Sequence, residues 1–208
     1  PALVAALMII ALRNRLAVQR GLSLVAVLAL NGIALSLLTQ ASTSGPQAYF
    51  LGDWPAPFGI TLVLDRLSAL MVALLAALAL PVTLHAIGSG ADAKGAHFHP
   101  LLQFLLMGIG GAFLTGDAFN LFVFFEVLLI ASYGLMVHGG GRERLRAGLQ
   151  YVAFNLVGSA LFLIALGLLY GVTGTLNMAD LAVKLPSLPA GDAALLSTAA
   201  VMLFLVFA

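Results

Sequence analysis

The sequence has no cysteine and little charge: nine Lys and Arg and eight Asp and Glu among 208 residues, or 8%, against about a quarter in soluble domains. Without cysteine there are no disulfides, iron–sulfur ligands or thiolate metal sites, and no signal of redox compartment. The scarcity of charge excludes a water-soluble globule and a disordered chain. The net charge is +1, with no basic or acidic tail, which argues against nucleic acid as a partner. Catalytic motifs are missing too. There is no H-E-x-x-H, no G-x-S-x-G and no G-x-G-x-x-G between a strand and a helix, and Gly139–Gly141 lacks the Lys-Ser/Thr of a phosphate loop. No residue set implies a cofactor or a metal. His97 and His99, two apart at a helix start, have no further ligands near them in the sequence.

What the chain does have is apolar length: 62% hydrophobic residues and a mean hydropathy of +1.12. That is enough for about seven spans of about 20 residues each. The expected fold class is all-α, a polytopic transmembrane helix bundle, with helices at about 1–12, 22–39, 64–87, 98–115, 118–138, 147–170 and 193–208. The first and last runs are too short to cross a bilayer core of about 30 Å. They read as cut helices, and the chain as part of a longer protein. Arg13, Arg15 and Arg20 follow the first apolar run, whereas a signal peptide carries its positive charge before it.

Local signals set the remaining boundaries. Residues 40–60 read as a polar Gly- and Pro-containing loop with Trp54 as an interfacial aromatic. Asp65 and Arg66 stand at the mouth of the third helix, and Pro81 predicts a kink within it. A Gly-rich loop over 88–97 holds Asp92 and Lys94, and Pro100 falls in the first turn of the next helix, where a missing N–H costs least. Gly116 breaks the chain, Asp117 caps the fifth helix, and Gly139, Gly140 and Gly141 end it. Residues 171–192 read as a mixed loop. With this helix order, seven of the nine basic residues fall on one side. Lys184, Arg66 and most of the acids fall on the other. The basic side should be cytoplasmic, placing the start of the chain outside.

One acid is left inside a span. Glu126 lies about 12 Å and 18 Å from the ends of the fifth helix. An isolated carboxylate at that depth costs at least about 2.5 kcal/mol on insertion scales, which makes it a functional-site candidate by default. It could carry a proton, loaded and unloaded by the movement of a nearby cation, or it could be packing glue between helices. Tyr133, seven residues on, shares its face. Tyr151, Asn155 and Ser159 recur every four residues on the sixth helix, a stripe able either to hold a file of water or to make ordinary interhelical hydrogen bonds. His85 and His138, near the basic ends of the third and fifth helices, could form a relay or a haem ligand pair. An interfacial position without special role is the simpler reading. Gly167-x-x-x-Gly171 fits a helix-packing motif.

The segment Gly116-Asp117-Ala118-Phe119-Asn120-Leu121-Phe122-Val123-Phe124-Phe125-Glu126-Val127-Leu128-Leu129-Ile130-Ala131-Ser132-Tyr133 resembles the fifth-helix signature of the antiporter-like membrane subunits. These are the proton-channel subunits of respiratory complex I and of the multisubunit Mrp cation/proton antiporters. Gly52–Ile60, Asp65–Leu70 and Tyr170–Asp180 are similar as well, most of all to the Mrp branch. The resemblance implies a bundle of about fourteen helices, of which this chain holds about half. It implies that Glu126 is the key protonatable group, paired with a lysine on a broken seventh helix; residues 193–208 contain no lysine. It further implies a proton-translocating subunit of a bacterial inner-membrane Na+/H+ antiporter, with protons and Na+ as cargo and other membrane subunits as partners. The alternatives are a proton-pumping subunit of a complex I-like oxidoreductase or hydrogenase, and a structural membrane subunit. In none of these is the chain itself a catalyst.

Overall fold

A computed structural model of the chain describes residues 1–10, 12, 15–54 and 58–207. Ala11 of the first expected helix, Arg13, Asn14, residues 55–57 in the middle of the Gly52–Ile60 motif, and Ala208 at the end of the last expected helix lie outside these. The described residues form eight α-helices and two short strands: α1 Ala2–Ile10, α2 Leu16–Ser44, β1 Gln47–Phe50, β2 Thr61–Leu64, α3 Arg66–Gly88, α4 Phe98–Leu114, α5 Ala118–Met136, α6 Arg142–Thr173, α7 Met178–Lys184 and α8 Ala193–Phe207. Four helices (α2, α3, α5 and α6) are long and apolar enough to cross a membrane, while α4 and α8 are shorter apolar helices. The expected seven spans thus resolve into four of full length plus the shorter α1, α4 and α8.

Two helices run past the ends expected from hydropathy. α2 begins at Leu16 rather than 22 and continues to Ser44 rather than 39. α6 begins at Arg142 rather than 147, so Arg142, Arg144 and Arg146 lie in its first turns instead of in a preceding loop. Arginine is a good helix former and its long side chain reaches polar surroundings from a helix end, so charge marks the end of the apolar stretch and not the end of the helix. The 40–60 region is also more ordered than a loop. β1 pairs antiparallel with β2 in the register Gln47 with Leu64 and Phe50 with Thr61. Each strand is only four residues long, too short for an alternation pattern to stand out. The 171–192 loop contains α7, whose first turn is capped by the Asn177 side chain accepting from the amides of Ala179 and Asp180 at 3.1 and 3.2 Å.

Other ends follow the sequence closely. Asp65 and Ser68 form a reciprocal capping box on α3, with bonds of 2.7 and 2.8 Å. The bond from the Ser68 amide, the largest influence on it, holds the Asp65 carboxyl below the usual carboxylate range. Asp117 accepts from the Asn120 amide at 2.8 Å and caps α5. Gly139, Gly140 and Gly141 take φ values of 86°, 68° and 101°, which side chains bearing a Cβ rarely adopt, and so stop the helix. α3 continues through Pro81 to Gly88.

Packing in a bilayer cannot rely on hydrophobic burial, because lipid tails are as apolar as leucine; close backbone approach matters more. The seam between α4 and α5 is built that way. A Cβ at Gly108 would lie 2.7 Å from the Leu128 Cβ, one at Gly134 would lie 2.7 Å from Leu101, and one at Gly111 would collide with the Phe124 ring. At Gly167 and Gly171, by contrast, a Cβ would meet nothing within 4 Å among the described residues. A second apolar core joins Val27 of α2, Ala79 of α3 and Leu102 and Leu106 of α4.

Candidate functional site

The connections gather in two groups. At one end, the Gly116 amide donates to the Thr61 carbonyl at 2.8 Å, the Ala118 amide to Leu176 at 2.8 Å, and the Met178 amide to Gly116 at 2.9 Å. These bonds tie β2, the α4–α5 break and the α6–α7 turn together, beside Asp65, Asp117 and Asp180. Asp117 is 6% exposed, and burial pushes its carboxyl above the usual range. Asp180 is held below it by the Lys184 ammonium 3.1 Å away. At the other end, Arg20 bonds Asp92, His138 Nε2 lies 3.0 Å from the Ala91 carbonyl, and Arg144 donates to the His138 carbonyl at 2.6 Å. The alternation of basic and acidic connections expected from the sequence corresponds to these two ends.

Between the ends, Glu126 and Ser159 meet across the α5–α6 interface, the Ser159 hydroxyl donating to Glu126 Oε1. Two turns toward the basic end, the rings of Tyr133 and Tyr151 pack edge to face, their centroids 5.6 Å apart and their planes at 84°. Four of the five residues singled out on these helices thus form cross-helix pairs. The fifth, Asn155, turns its amide to the Tyr151 carbonyl one turn back in its own helix, at 2.8 Å. Asn155 and Ser159 also line a cavity of about 370 Å³ between α6 and α8, whose other walls include Phe125, Phe154, Leu205 and Val206. The α8 side of that cavity is apolar. The chain's two lysines, Lys94 and Lys184, stand at opposite ends of the bundle.

The histidines separate. His85 is exposed near the end of α3, and His97 is exposed just before α4. His138 is half-buried, with its ring 5.4 Å from that of Phe98. His99 is fully buried, with Nε2 3.1 Å from Asp92 Oδ2. His97 and His99, two apart in sequence, thus differ in placement, one exposed and the other buried. The cluster of Arg20, Asp92 and His99 is not legible in the sequence, since Arg20 and Asp92 are 72 residues apart and both read there as loop charges. The one signal pointing to it is an aspartate in a Gly-rich loop shortly before a pair of histidines.

The sequence model of the family described as NADH:quinone oxidoreductase/Mrp antiporter, TM, matches residues 115–208. The chain is 58% identical over 154 residues to the D-type subunit of a probable K(+)/H(+) antiporter of Rhizobium meliloti, covering 74% of this chain and 28% of that protein. It is 48% identical over 179 residues to the D-type subunit of the Na(+)/H(+) antiporter of Bacillus subtilis, covering 85% of this chain and 36% of that protein. Its fold superposes on a chain of the Mrp complex from Dietzia sp. DQ12-45-1b with a TM-score of 0.87 and 30% identity, over 99% of this chain and 38% of that one. It also superposes on a chain of the membrane-bound sulfane sulfur reductase, an archaeal respiratory membrane complex, with a TM-score of 0.83 and 30% identity, over 96% of this chain and 40% of that one. The chain thus spans about a third of the length of its curated relatives. By the match over α5 to α8, the identity to D-type antiporter subunits and the shared fold, it belongs to the membrane subunit family common to NADH:quinone oxidoreductases and Mrp antiporters, on the D-type branch of Mrp.

Proposed function

We propose that the chain is part of a proton-translocating subunit of a multisubunit monovalent cation/proton antiporter, with Na+ as the exchanged cation and Glu126 as its protonatable group. The observation that carries this is the position of Glu126: it lies near the middle of a membrane-length helix, with the hydroxyl of Ser159 as its partner from the neighbouring helix. A carboxylate at that depth is costly to keep charged, so a single hydroxyl favours a group that exchanges protons over one held permanently ionised. Tyr133, Tyr151, Asn155 and Ser159 provide polar atoms along the α5–α6 interface from Glu126 toward the basic end, where His138 stands. His138 would receive protons at that surface; His85, exposed on α3, is a second candidate there. Coupling would come from a cation whose movement changes the charge facing Glu126, in the longer protein and with its partner subunits.

In this reading the site lies in a bacterial inner membrane with the basic end cytoplasmic and the start of the chain outside, on the positive-inside rule. The test is Glu126→Gln in the intact complex, with Na+- and K+-dependent proton exchange measured in vesicles. Loss of exchange at normal abundance supports the reading, and unchanged exchange sinks it. A defect confined to abundance would favour a structural role for the chain. The likeness to a respiratory reductase chain favours a second reading, a proton-pumping subunit of a complex I-like enzyme. Co-purification with iron–sulfur or flavin subunits, rather than with small membrane subunits, would select it.

A further inference from the structure

Among the described residues, one buried side-chain nitrogen or oxygen lacks a hydrogen-bond partner: Nδ1 of His99. The other ring nitrogen faces Asp92, whose two carboxylate oxygens are gripped by Arg20 through Nε at 2.6 Å and Nη2 at 2.8 Å. Asp92 and His99 are both fully buried, while the Arg20 side chain is 33% exposed, so the cluster sits one side chain below the basic surface. The Arg20 guanidinium holds the Asp92 carboxyl below its ordinary range. An ionised carboxylate only accepts, so the proton on His99 must sit on Nε2, and Nδ1 is left as a bare lone pair. A buried acceptor with no donor is unfavourable. A purely structural histidine would fill that position with a backbone amide or a hydroxyl.

We propose that the Asp92–His99 pair is a proton-binding site at the basic end of the bundle, separate from the Glu126–Ser159 interface. A proton arriving from water at the basic surface adds to the Nδ1 lone pair. The Nε2–H stays bonded to Asp92, and the resulting imidazolium is neutralised by that carboxylate. The other charged groups acting on the pair are Arg20 on α2 and His138 just past α5; of the neighbouring elements, the loop also carries Lys94, α3 carries His85 and the α4 start His97, while α1 carries none over Ala2–Ile10. Arg20 therefore plays two opposed parts. It keeps Asp92 ionised, and its own positive charge adds to burial of the ring, the larger effect, in limiting how readily His99 takes the proton. The site is also tied to α5, because Ala91, next to Asp92, gives its carbonyl to His138. A change of charge on His99 would be felt at the end of the helix that carries Glu126.

The test uses the full-length protein in its assembled complex, reconstituted with ring-labelled histidine and followed by infrared difference spectroscopy as pH is varied between about 5 and 8. An imidazolium band that is absent from His99→Gln is the expected result. Should that variant not assemble, the triple change of His85, His97 and His138 to Gln leaves His99 as the one histidine in this part of the chain and gives the same assignment. The protonation equilibrium should weaken about tenfold or more in Asp92→Asn and strengthen in Arg20→Gln. A merely structural cluster would not move in opposite directions in these two variants. A His99 that stays neutral across the range, or the same shift in both variants, overturns the proposal. Neither result depends on transport, so the reading of Glu126 stands or falls separately.

Discussion

Glu126 and Asp92 are both carboxylates enclosed by helices, and they are held in contrasting ways. Asp92 is fully buried and bound through both oxygens, by an arginine from α2 and a histidine from α4. Glu126 is half-buried, its partner being one serine hydroxyl next to a cavity. A carboxylate locked to a guanidinium stays ionised over the physiological range and works as a fixed charge. A carboxylate with a single neutral donor has no fixed countercharge beside it. The comparison separates a carboxylate held as a fixed charge from one left with a single neutral partner, where the sequence offered only a loop aspartate and an acid inside a span.

Mutations can break this contrast, and the largest effect should fall on Glu126. Glu126→Gln should lower vesicle proton exchange on the order of 100-fold, the usual worth of a positioned acid–base group, with little change in thermal unfolding. Asp92→Ala should show the reverse emphasis. It leaves Arg20 without its partner and His99 without its acceptor, and should cost about 2 kcal/mol of stability, read as a lower unfolding midpoint of the purified complex. Because the Asp92 carboxyl is depressed on folding, its stabilisation is complete above its ordinary value of about 4 and disappears as pH falls through the folded value. The acid limb of the unfolding profile should therefore flatten in Asp92→Asn.

Ser159→Ala sharpens the contrast from the other side. Removal of one neutral hydrogen bond should cost about 1 kcal/mol and reduce exchange only several-fold, since water in the adjoining cavity can replace the hydroxyl. The smallest effect belongs to Asp117. Burial raises its carboxyl, so its contribution is favourable at low pH and is lost as pH rises through the folded value. Asparagine caps a helix as well as aspartate does, so Asp117→Asn should change stability at neutral pH by no more than about 0.5 kcal/mol. A loss well beyond that would mean that the carboxylate at that end has a charged partner in the assembled complex.

The parts of this molecule readable in advance are those whose causes are local. Asp65 and Asp117 cap helices through amides three residues away. Gly139 to Gly141 end α5 through their own backbone angles, and the depth of Glu126 follows from counting along one helix. The stripe on α6 is half legible: Ser159 and Tyr151 do reach across to α5, whereas Asn155 satisfies itself within its helix. The Gly167 and Gly171 pair meets no neighbour among the described residues, because spacing reports which residues share a face and not which helix lies against it. The true seam uses Gly108, Gly111 and Gly134, whose spacing on two different helices forms no pattern along one.

Composition, period and local capping, then, are enough to determine a membrane bundle, its main helices, the two charged ends and the one acid at mid-depth. Tertiary structure alone decides that Arg20, Asp92 and His99 form one buried cluster and that the α4–α5 backbones nearly touch. It also decides that Glu126 meets Ser159, 33 residues on. The physical reason is range. A cap or a helical face is set within a few residues of chain, whereas an ion pair or a close helix contact exists only once distant segments have been brought together in three dimensions.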